Sequence, residues 1–479
     1  MEPMDPSIKK NENKLNRIAG GERPAQADQQ METVTASNDA DQSLAFQRST
    51  PPAMWMQAER LNSTGTALHK AGRYDEALTA FRQVLELYRQ LPDSQRQQAD
   101  NLFNAGLALR EMNRYGEALT VYRQAVELYR HVPGTQRDQA DCLLNTGGIM
   151  IDTDRYEEAC SAFHDALNLY RQLDGTQHQQ AKCLLKTGHA LRNLERYEEA
   201  INAYRQAVDL CHQLDGTQQE RADTLHYSIG LTLNRIRRFE EAISAYRQAL
   251  DLYRQIDGTQ RHQAHCLYNT GAVLRDAKQY EDAVTAFQQA QGLYQHLDGS
   301  TQDQADCARS AGNTLRDLGR RQEAITAYRE ALAIFRQEDG TEKDQANILN
   351  YRIGLTLADM WQYDEALTAY RQAQDLYSRA TGAQRQHADC LYNTGITLRD
   401  LGRYQEALTA YQQALELFRQ VNGTQRQQAY CLNEGIGNTL HRMGRPDEAA
   451  TAYQQAQNLD PNLNGTEQSP KGSPGPDIG

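Results

Sequence analysis

Residues 388–418 read ADCLYNTGITLRDLGRYQEALTAYQQALELF, and this stretch contains two helix-length patterns joined by a short turn. Leu391, Gly395 and Leu398 recur at the spacing of one helix face. Gly402 follows, a residue that readily adopts the left-handed backbone that ends a helix. A second amphipathic pattern of small and aromatic residues then begins. The stretch therefore predicts two helices that pack against each other.

The same pattern occurs ten times at intervals of 41 or 42 residues. Its first marker is a glycine in the first helix: Gly65, Gly106, Gly147, Gly188, Gly230, Gly271, Gly312, Gly354, Gly395 and Gly437. An alanine follows each glycine after twelve residues, and a Phe or Tyr follows it after sixteen, as Ala407 and Tyr411 follow Gly395. Small residues allow two helices to approach closely, and the aromatic rings are expected to fill the space between successive pairs. A fixed period of this length predicts a solenoid in which each unit stacks on its neighbours.

The small–aromatic pattern resembles the tetratricopeptide repeat over roughly residues 53–461, and the last unit ends at Pro461, as is usual in that family. The other units carry a longer linker, such as residues 174–177, and the longer period is similar to that of kinesin light chains and Pins-type spindle adaptors. The resemblance implies an all-α, right-handed superhelical solenoid of about ten helix pairs. The flanking segments 1–50 and 462–479 are polar and are predicted to be disordered, because they lack the apolar content that offsets chain entropy.

The linkers predict a capping box at the start of each first helix, in which a Thr side chain bonds a backbone N–H three residues on. Three linkers fit this pattern with Asp, Gln or Glu at the third following residue: Thr135 with Asp138, Thr176 with Gln179, and Thr217 with Glu220. Three units have one extra residue between the helix-start alanine and the repeat glycine, before Gly230, Gly354 and Gly437. The extra residue predicts either a π-bulge or a shifted helix start. The shifted start, away from any functional position, is the favoured interpretation.

Composition excludes several classes of protein. The chain has 63 acidic and 51 basic residues and a net charge of −12, which argues against a nucleic-acid-binding protein. No apolar stretch is long enough for a membrane span, and the basic first thirty residues have no apolar core of a signal peptide. Five of the eight cysteines hold one repeat position, five residues before the glycine, and no Cys-x-x-Cys pair is present. The cysteines therefore predict free thiols, no metal site and a reducing, cytoplasmic location. No phosphate-binding loop, zinc-protease or dinucleotide motif is present, and the sequence predicts no enzyme and no cofactor.

One face of the first helices carries the candidate binding residues. With the repeat glycine numbered 8, positions 2, 5, 6, 9, 12 and 13 share the face opposite the packed one, which in a stacked array would line a concave groove. Asparagine occupies position 6 in four repeats: Asn104, Asn145, Asn269 and Asn393. Arginine occupies position 12 in five: Arg110, Arg192, Arg275, Arg316 and Arg399. Position 5 is often aromatic, as in Tyr268 and Tyr392, and position 13 is often acidic.

These residue types suit a protein or peptide partner. Asn both donates to and accepts from a peptide backbone, Arg bonds carboxylate or phosphate through its forked guanidinium, and Tyr supplies stiff contact area. The Asn row is similar to the asparagine ladders of the O-linked N-acetylglucosamine transferase superhelix and kinesin light chains. The chaperone-binding clamp of short-repeat relatives has Lys at position 5 and Asn at position 9. Here position 5 is Tyr, Phe or Leu in seven repeats and Lys in none, so that role is disfavoured.

Other interpretations remain open at the level of sequence. The Arg and acidic rows could form ion pairs across repeats that only keep the face soluble, since exposed pairs contribute about 0–1 kcal/mol each. The Asn row could serve hydrogen bonds between repeats. We therefore predict a scaffold or adaptor that binds an extended segment in the groove. Its alternatives are a sensor that changes pitch on ligand binding, or a non-catalytic arm of an enzyme complex.

Overall fold

The computed structural model describes residues 51–461, and the two flanks predicted to be disordered, 1–50 and 462–479, lie outside the described residues. Residues 51–461 form twenty helices in ten consecutive pairs and no strand, which confirms the predicted all-α solenoid. The first helices span Pro51–Lys70, Gln95–Glu111, Gln136–Asp152, Gln177–Asn193, 218–235, Gln260–Asp276, Thr301–Asp317, 342–359, Gln384–Asp400 and 425–442. The second helices span Tyr74–Arg89, Tyr115–Arg130, Tyr156–Tyr170, Tyr197–His212, Phe239–Tyr253, Tyr280–Tyr294, Arg321–Phe335, Tyr363–Arg379, Tyr404–Arg419 and Pro446–Leu459.

The repeat glycine and the aromatic residue of the same unit are in direct contact. A Cβ atom added to Gly106 would lie 2.5 Å from Cε1 of Tyr122, closer than real contacts permit. Tyr122 has no exposed surface. The ring of Tyr411 also lies against Gly435 in the first helix of the next unit, where an added Cβ would be 2.8 Å from Cδ1. The ring therefore joins a first helix to its own second helix and to the following unit.

The predicted capping boxes are wrong. The hydroxyl of Thr176 makes no bond to a backbone N–H at the start of its helix. It donates instead to the backbone carbonyls of Tyr170 and Leu173, at 2.6 and 2.9 Å. Gln180 then donates to the Thr176 hydroxyl at 3.0 Å. The same arrangement holds at Thr135 and Thr217, which also donate backwards. These buried hydroxyls satisfy carbonyl groups left open at the end of the preceding second helix.

The extra residue of the three long units is absorbed as a π-helix in the middle of the first helix, so the favoured shifted start is wrong. The π-helical segments are Thr224–Gly230, Ile348–Gly354 and Cys431–Gly437. Each ends at the repeat glycine, because the contact of that glycine with its aromatic partner fixes the register there. The added residue must therefore widen the preceding turn of the helix.

All eight cysteines are free, and seven of them are buried, which agrees with the prediction of unpaired thiols. Burial raises the pKa of the Cys183 and Cys266 thiols to about 12, so neither ionises near neutral pH. They act as small apolar residues of the packed face. Within residues 51–461, none of the helices combines the length and apolar character that a membrane span needs.

Trp361 occupies a turn position that disfavours it. Its backbone φ is 64°, in the left-handed region, and its side chain is 76% exposed. Four equivalent turns carry glycine with positive φ: Gly72, Gly319, Gly402 and Gly444. Because left-handed backbone costs other residues about 1–2 kcal/mol, we expect Trp361→Gly to raise the free energy of unfolding by about 1 kcal/mol. Urea unfolding followed by circular dichroism measures this change. The reverse change at an equivalent turn, Gly402→Trp, should destabilise, and a gain in stability there would contradict the backbone argument.

Candidate functional site

The first helices of successive repeats contact one another through the residues assigned to the groove. Nη1 of Arg110 lies 3.4 Å from Oδ1 of Asn145 in the next repeat, and Nη2 lies 3.6 Å from a carboxylate oxygen of Asp152. Position 12 of one unit therefore faces positions 6 and 13 of the following unit. We call the surface formed by positions 2, 5, 6, 9, 12 and 13 of the first helices the first-helix face. At this junction the ion pair across repeats, considered above as an alternative, is present.

Two of the other asparagines also bond to a neighbouring repeat. Nδ2 of Asn269 lies 2.9 Å from Nε2 of His226, and Nδ2 of Asn393 donates to Oδ1 of Asn350 at 3.1 Å. His226 and Asn350 are fully buried and belong to the π-helical segments of the preceding repeats. The π-helices thus place a polar side chain against the next asparagine. Asn104 differs, because its half-buried amide has no hydrogen-bond partner within residues 51–461.

This difference predicts unequal effects of alanine substitution. Asn393→Ala removes the partner of the buried Asn350 amide and should cost about 1–3 kcal/mol of stability. Asn104→Ala breaks no hydrogen bond within the described chain and should change stability by less than about 0.5 kcal/mol. Urea titration of the two variants beside the wild type tests this. Equal losses for both would show that the Asn104 amide has a structural partner after all.

The aromatic residues at position 5 pack partly into the repeat. The ring of Tyr268 lies 5.4 Å from that of Phe287, and the ring of Tyr392 lies 5.5 Å from that of Tyr411, measured between centroids. The Tyr268 hydroxyl is 3.3 Å from the hydroxyl of Ser310 in the next repeat. Both tyrosines are half-buried, and burial raises the pKa of each phenol. Each keeps part of its surface exposed.

The five arginines of position 12 have different surroundings. The Arg399 side chain is only 17% exposed, and its Nη1 donates to the backbone carbonyl of Glu434 in the next repeat at 2.8 Å. Arg275 lies at 4.0 Å from a carboxylate oxygen of Asp276. Arg192 lies close to His189, whose pKa is lowered by burial and by that guanidinium charge. Arg316 has neither an ion pair nor a hydrogen bond from its side chain within the described chain.

Sequence reasoning missed two cations of this face. Position 6, where four repeats carry asparagine, is Lys186 in the fourth repeat and Arg352 in the eighth. Both side chains are half-buried. Burial lowers the pKa of each, and repulsion from nearby basic groups adds to the effect, from Lys182 and Arg110 on Lys186 and from Arg316 on Arg352. The signal that could have found them is a cation at a position that is otherwise asparagine, serine or glycine.

His226 is a fully buried titratable group in the π-helical segment of the fifth repeat. It has no exposed surface, and burial lowers its pKa well below the ordinary value, with the His265 and His262 charges adding to the effect. With the Asn269 amide donating to Nε2, the neutral ring carries its proton on Nδ1. Protonation of Nε2 would break this bond. The imidazole therefore stays neutral in the folded state.

This burial predicts a pH dependence. Below about pH 6.5 the unfolded chain binds a proton at His226 that the folded chain excludes, so stability falls as the pH falls. The loss should reach about 1.4 kcal/mol per pH unit and should be absent in His226→Gln. The difference between wild type and variant in urea unfolding from pH 7.5 to 5.0 measures it. Half-buried Asp306 and Asp389, whose pKa values burial raises, oppose the trend equally in both proteins, so their contributions cancel in the difference. Parallel stability curves would contradict a neutral buried His226.

Residues 51–461 contain no group of three His, Cys, Asp or Glu side chains placed to hold a metal ion. What the face offers is a row of amides, guanidinium groups and aromatic rings on rigid, packed helices. Such a surface can donate and accept hydrogen bonds along an extended chain.

Solved structures are similar to parts of this chain. BtubC from P. vanneervenii is 16% identical, with 50% of this chain and 98% of its own covered and a TM-score of 0.39. The apo form of RapI is 14% identical, with 76% and 98% covered and a TM-score of 0.46. MamA from Desulfovibrio magneticus RS-1 is 17% identical, with 42% and 97% covered and a TM-score of 0.34. No curated protein matches this chain.

Family models give the decisive comparison. One model described as tetratricopeptide repeat matches residues 59–131, 139–213, 220–296, 263–337, 344–420 and 395–462, and a second with the same description matches residues 103–173. These matches cover most of the residues in which the glycine–aromatic contacts and paired helices occur. The chain belongs to the tetratricopeptide repeat family.

Proposed function

We propose that this protein is an interaction scaffold that binds an extended segment of a partner protein along the first-helix face. Tetratricopeptide repeats imply protein partners in general. The observation that carries the finer proposal is that some polar groups of the face are left without partners inside the chain. The Asn104 amide and the Arg316 guanidinium are half-buried, and neither has a hydrogen-bond partner within residues 51–461. Half-buried polar groups of this kind favour a ligand that completes their bonds.

The binding mechanism is preorganisation. Each first helix is held by its aromatic contact, and eight of the ten also by a Thr or Ser hydroxyl at their start, so the polar groups of the face are fixed before a ligand arrives. Only the ligand segment then loses chain entropy on binding. Asn side chains bond the ligand backbone, and the exposed parts of Tyr268 and Tyr392 contact its side chains.

The proposal includes no catalysis, no cofactor and no nucleic acid or membrane partner. It places the protein in the cytoplasm, because a reducing compartment suits eight free thiols. A sensor whose superhelix changes pitch on binding is the alternative within the same family.

The test starts from a displayed library of random 16-residue peptides selected on the full-length chain. Selected peptides are resynthesised with a photoreactive phenylalanine analogue, and cross-links are mapped by mass spectrometry. We expect cross-links at positions 2, 5, 6, 9, 12 and 13 of first helices in at least three consecutive repeats. Cross-links confined to the second helices, or a failure to select any peptide, would refute the groove. Small-angle scattering with and without peptide separates the two functions, since a scaffold keeps its dimensions and a sensor compacts.

A further inference from the structure

Arginine faces arginine at the junction of the seventh and eighth repeats. In repeats 2 and 3, position 12 meets position 6 of the next unit, where Arg110 lies 3.4 Å from the Asn145 side chain. The equivalent residues in repeats 7 and 8 are Arg316 and Arg352. The neutral acceptor of the earlier junction is thus replaced by a second cation.

Neither of these guanidinium groups is neutralised by the chain. Within residues 51–461 neither forms an ion pair or a side-chain hydrogen bond, although Asp317 and Asp359 occupy position 13 of the same two repeats. Nearby Arg309 shows the contrast, because its guanidinium lies 2.6 Å from a carboxylate oxygen of Asp306. Although the chain has 63 acidic residues, none within residues 51–461 forms an ion pair with Arg316 or Arg352.

Several positive charges act on the Arg352 guanidinium. Burial lowers the pKa of Arg352, and the charges of Arg316, Arg309 and Arg275 lower it further, with only Tyr328 opposing. Burial raises the pKa of the Tyr328 phenol to about 12, the charges of Arg316, Arg352 and Arg275 oppose this rise, and the charge of Asp317 adds to it. Its hydroxyl donates to Oδ1 of Asn313 at 3.0 Å. Tyr328 is therefore near the three arginines, and its hydroxyl is already bonded to Asn313.

Half-buried cations that repel one another destabilise the empty protein, and an anion placed between them removes that cost. We propose that Arg316 and Arg352, with Arg275 beside them, form an anion subsite on the first-helix face that binds carboxylate side chains of an acidic partner segment. This inference rests on the groove function proposed above and names the chemistry of the ligand there.

The arrangement favours separate carboxylates over one phosphate group. Arg275 and Arg316 hold the same position in successive repeats, which stack at about 8–10 Å. Extended peptide advances about 3.3 Å per residue, so acidic residues two or three positions apart reach both. Asp276 and Asp317 at the rim repel a dianion more strongly than a single carboxylate.

The first experiment repeats the peptide selection with Arg316→Gln/Arg352→Gln. Its control is Arg329→Gln/Arg371→Gln, which removes the same charge from exposed positions of the second helices. Wild type and control should enrich Asp or Glu at two positions spaced by two or three residues. The double variant should lose that enrichment and bind the selected acidic peptides at least 30-fold more weakly, each lost charge-assisted bond contributing severalfold. Replacing the two acidic residues by phosphoserine should not tighten binding.

The second experiment needs no ligand. Arg352→Gln relieves repulsion in the free chain and should raise its melting temperature by about 1–2 °C at low salt, with no gain at 0.5 M NaCl. If Arg352 instead stabilises the fold, the Arg352→Gln variant will have a lower melting temperature than the wild type.

The outcomes separate the two proposals. Peptides without acidic enrichment, or enrichment that survives in the double variant, would overturn the subsite and leave the groove intact. Phosphoserine peptides that bind more than tenfold tighter would overturn the choice of carboxylate. A drop in melting temperature for Arg352→Gln would show a structural role. No selected peptide at all would overturn the groove and the subsite together.

Discussion

Tyr246→Ala is expected to lower the free energy of unfolding by about 3–5 kcal/mol, the range observed when a buried aromatic ring is removed from a core. The Tyr246 side chain has no exposed surface, and its ring lies where a Cβ on Gly230 would approach to 2.3 Å. Removing it leaves a cavity between helices that are packed closely because of that glycine. Urea unfolding followed by circular dichroism measures the loss. An unchanged midpoint would refute the packed-face assignment.

The matched control is Tyr246→Phe. Phenylalanine occupies the same place in three other repeats, at Phe81, Phe163 and Phe287. The Tyr246 hydroxyl is buried without a hydrogen-bond partner among residues 51–461, and burial raises its pKa. Its removal should therefore be neutral or slightly stabilising. A loss as large as that of Tyr246→Ala would show that the hydroxyl, and not the ring, holds this position.

Gly354→Ala should cost about 3 kcal/mol, the upper part of the range for overpacking a core. The new Cβ would lie 2.3 Å from Cε1 of Tyr370 and 2.9 Å from the carbonyl oxygen of Leu349. Tyr370 is fully buried and cannot move aside freely. The carbonyl belongs to the π-helix, so the backbone must shift as well. The melting temperature and the urea midpoint should both fall.

Gly292→Ala is the control for helix propensity. Gly292 also lies inside a helix, but nothing lies within 4 Å of an added Cβ there. Alanine is the better helix former, so this change should stabilise by about 0.5–1 kcal/mol. Opposite signs for the two variants attribute the loss at Gly354 to close contact. The same sign for both would contradict that explanation.

The period alone was sufficient to predict the helix pairs, because they depend on residues that recur in every unit. Features that depend on the meeting of two units were predicted poorly. The Thr176 hydroxyl was assigned to its own helix, yet it donates to carbonyls of the preceding one. A residue pattern specifies that a hydroxyl lies at a helix start, but the angle between helices decides which backbone groups come within reach.

In the candidate site, too, features of a single unit could be predicted, whereas features that depend on two adjacent units could not. The rows of Asn and Arg could be placed on one helix face by counting. Contacts with a neighbouring repeat now join five of their members, namely Arg110, Asn145, Asn269, Asn393 and Arg399. Counting could not show which members keep a free polar group. That depends on the residue opposite, as Arg352 opposite Arg316 illustrates, and hence on stacking between units. Whether these residues bind a ligand stays a prediction.

The π-helices bear on how ten similar units find the correct neighbours during folding. Near-identical repeats can stack out of order, because the glycine–aromatic contact is the same in every unit. His226 and Asn350 are buried, and each has its bond to the asparagine of the following unit. A misordered stack that presents another residue there would leave a buried polar group unpaired, at about 1–3 kcal/mol. The inserted residues thus distinguish these two junctions from the others. Their hydrogen bonds favour stacking of the repeats in the order in which they occur in the chain.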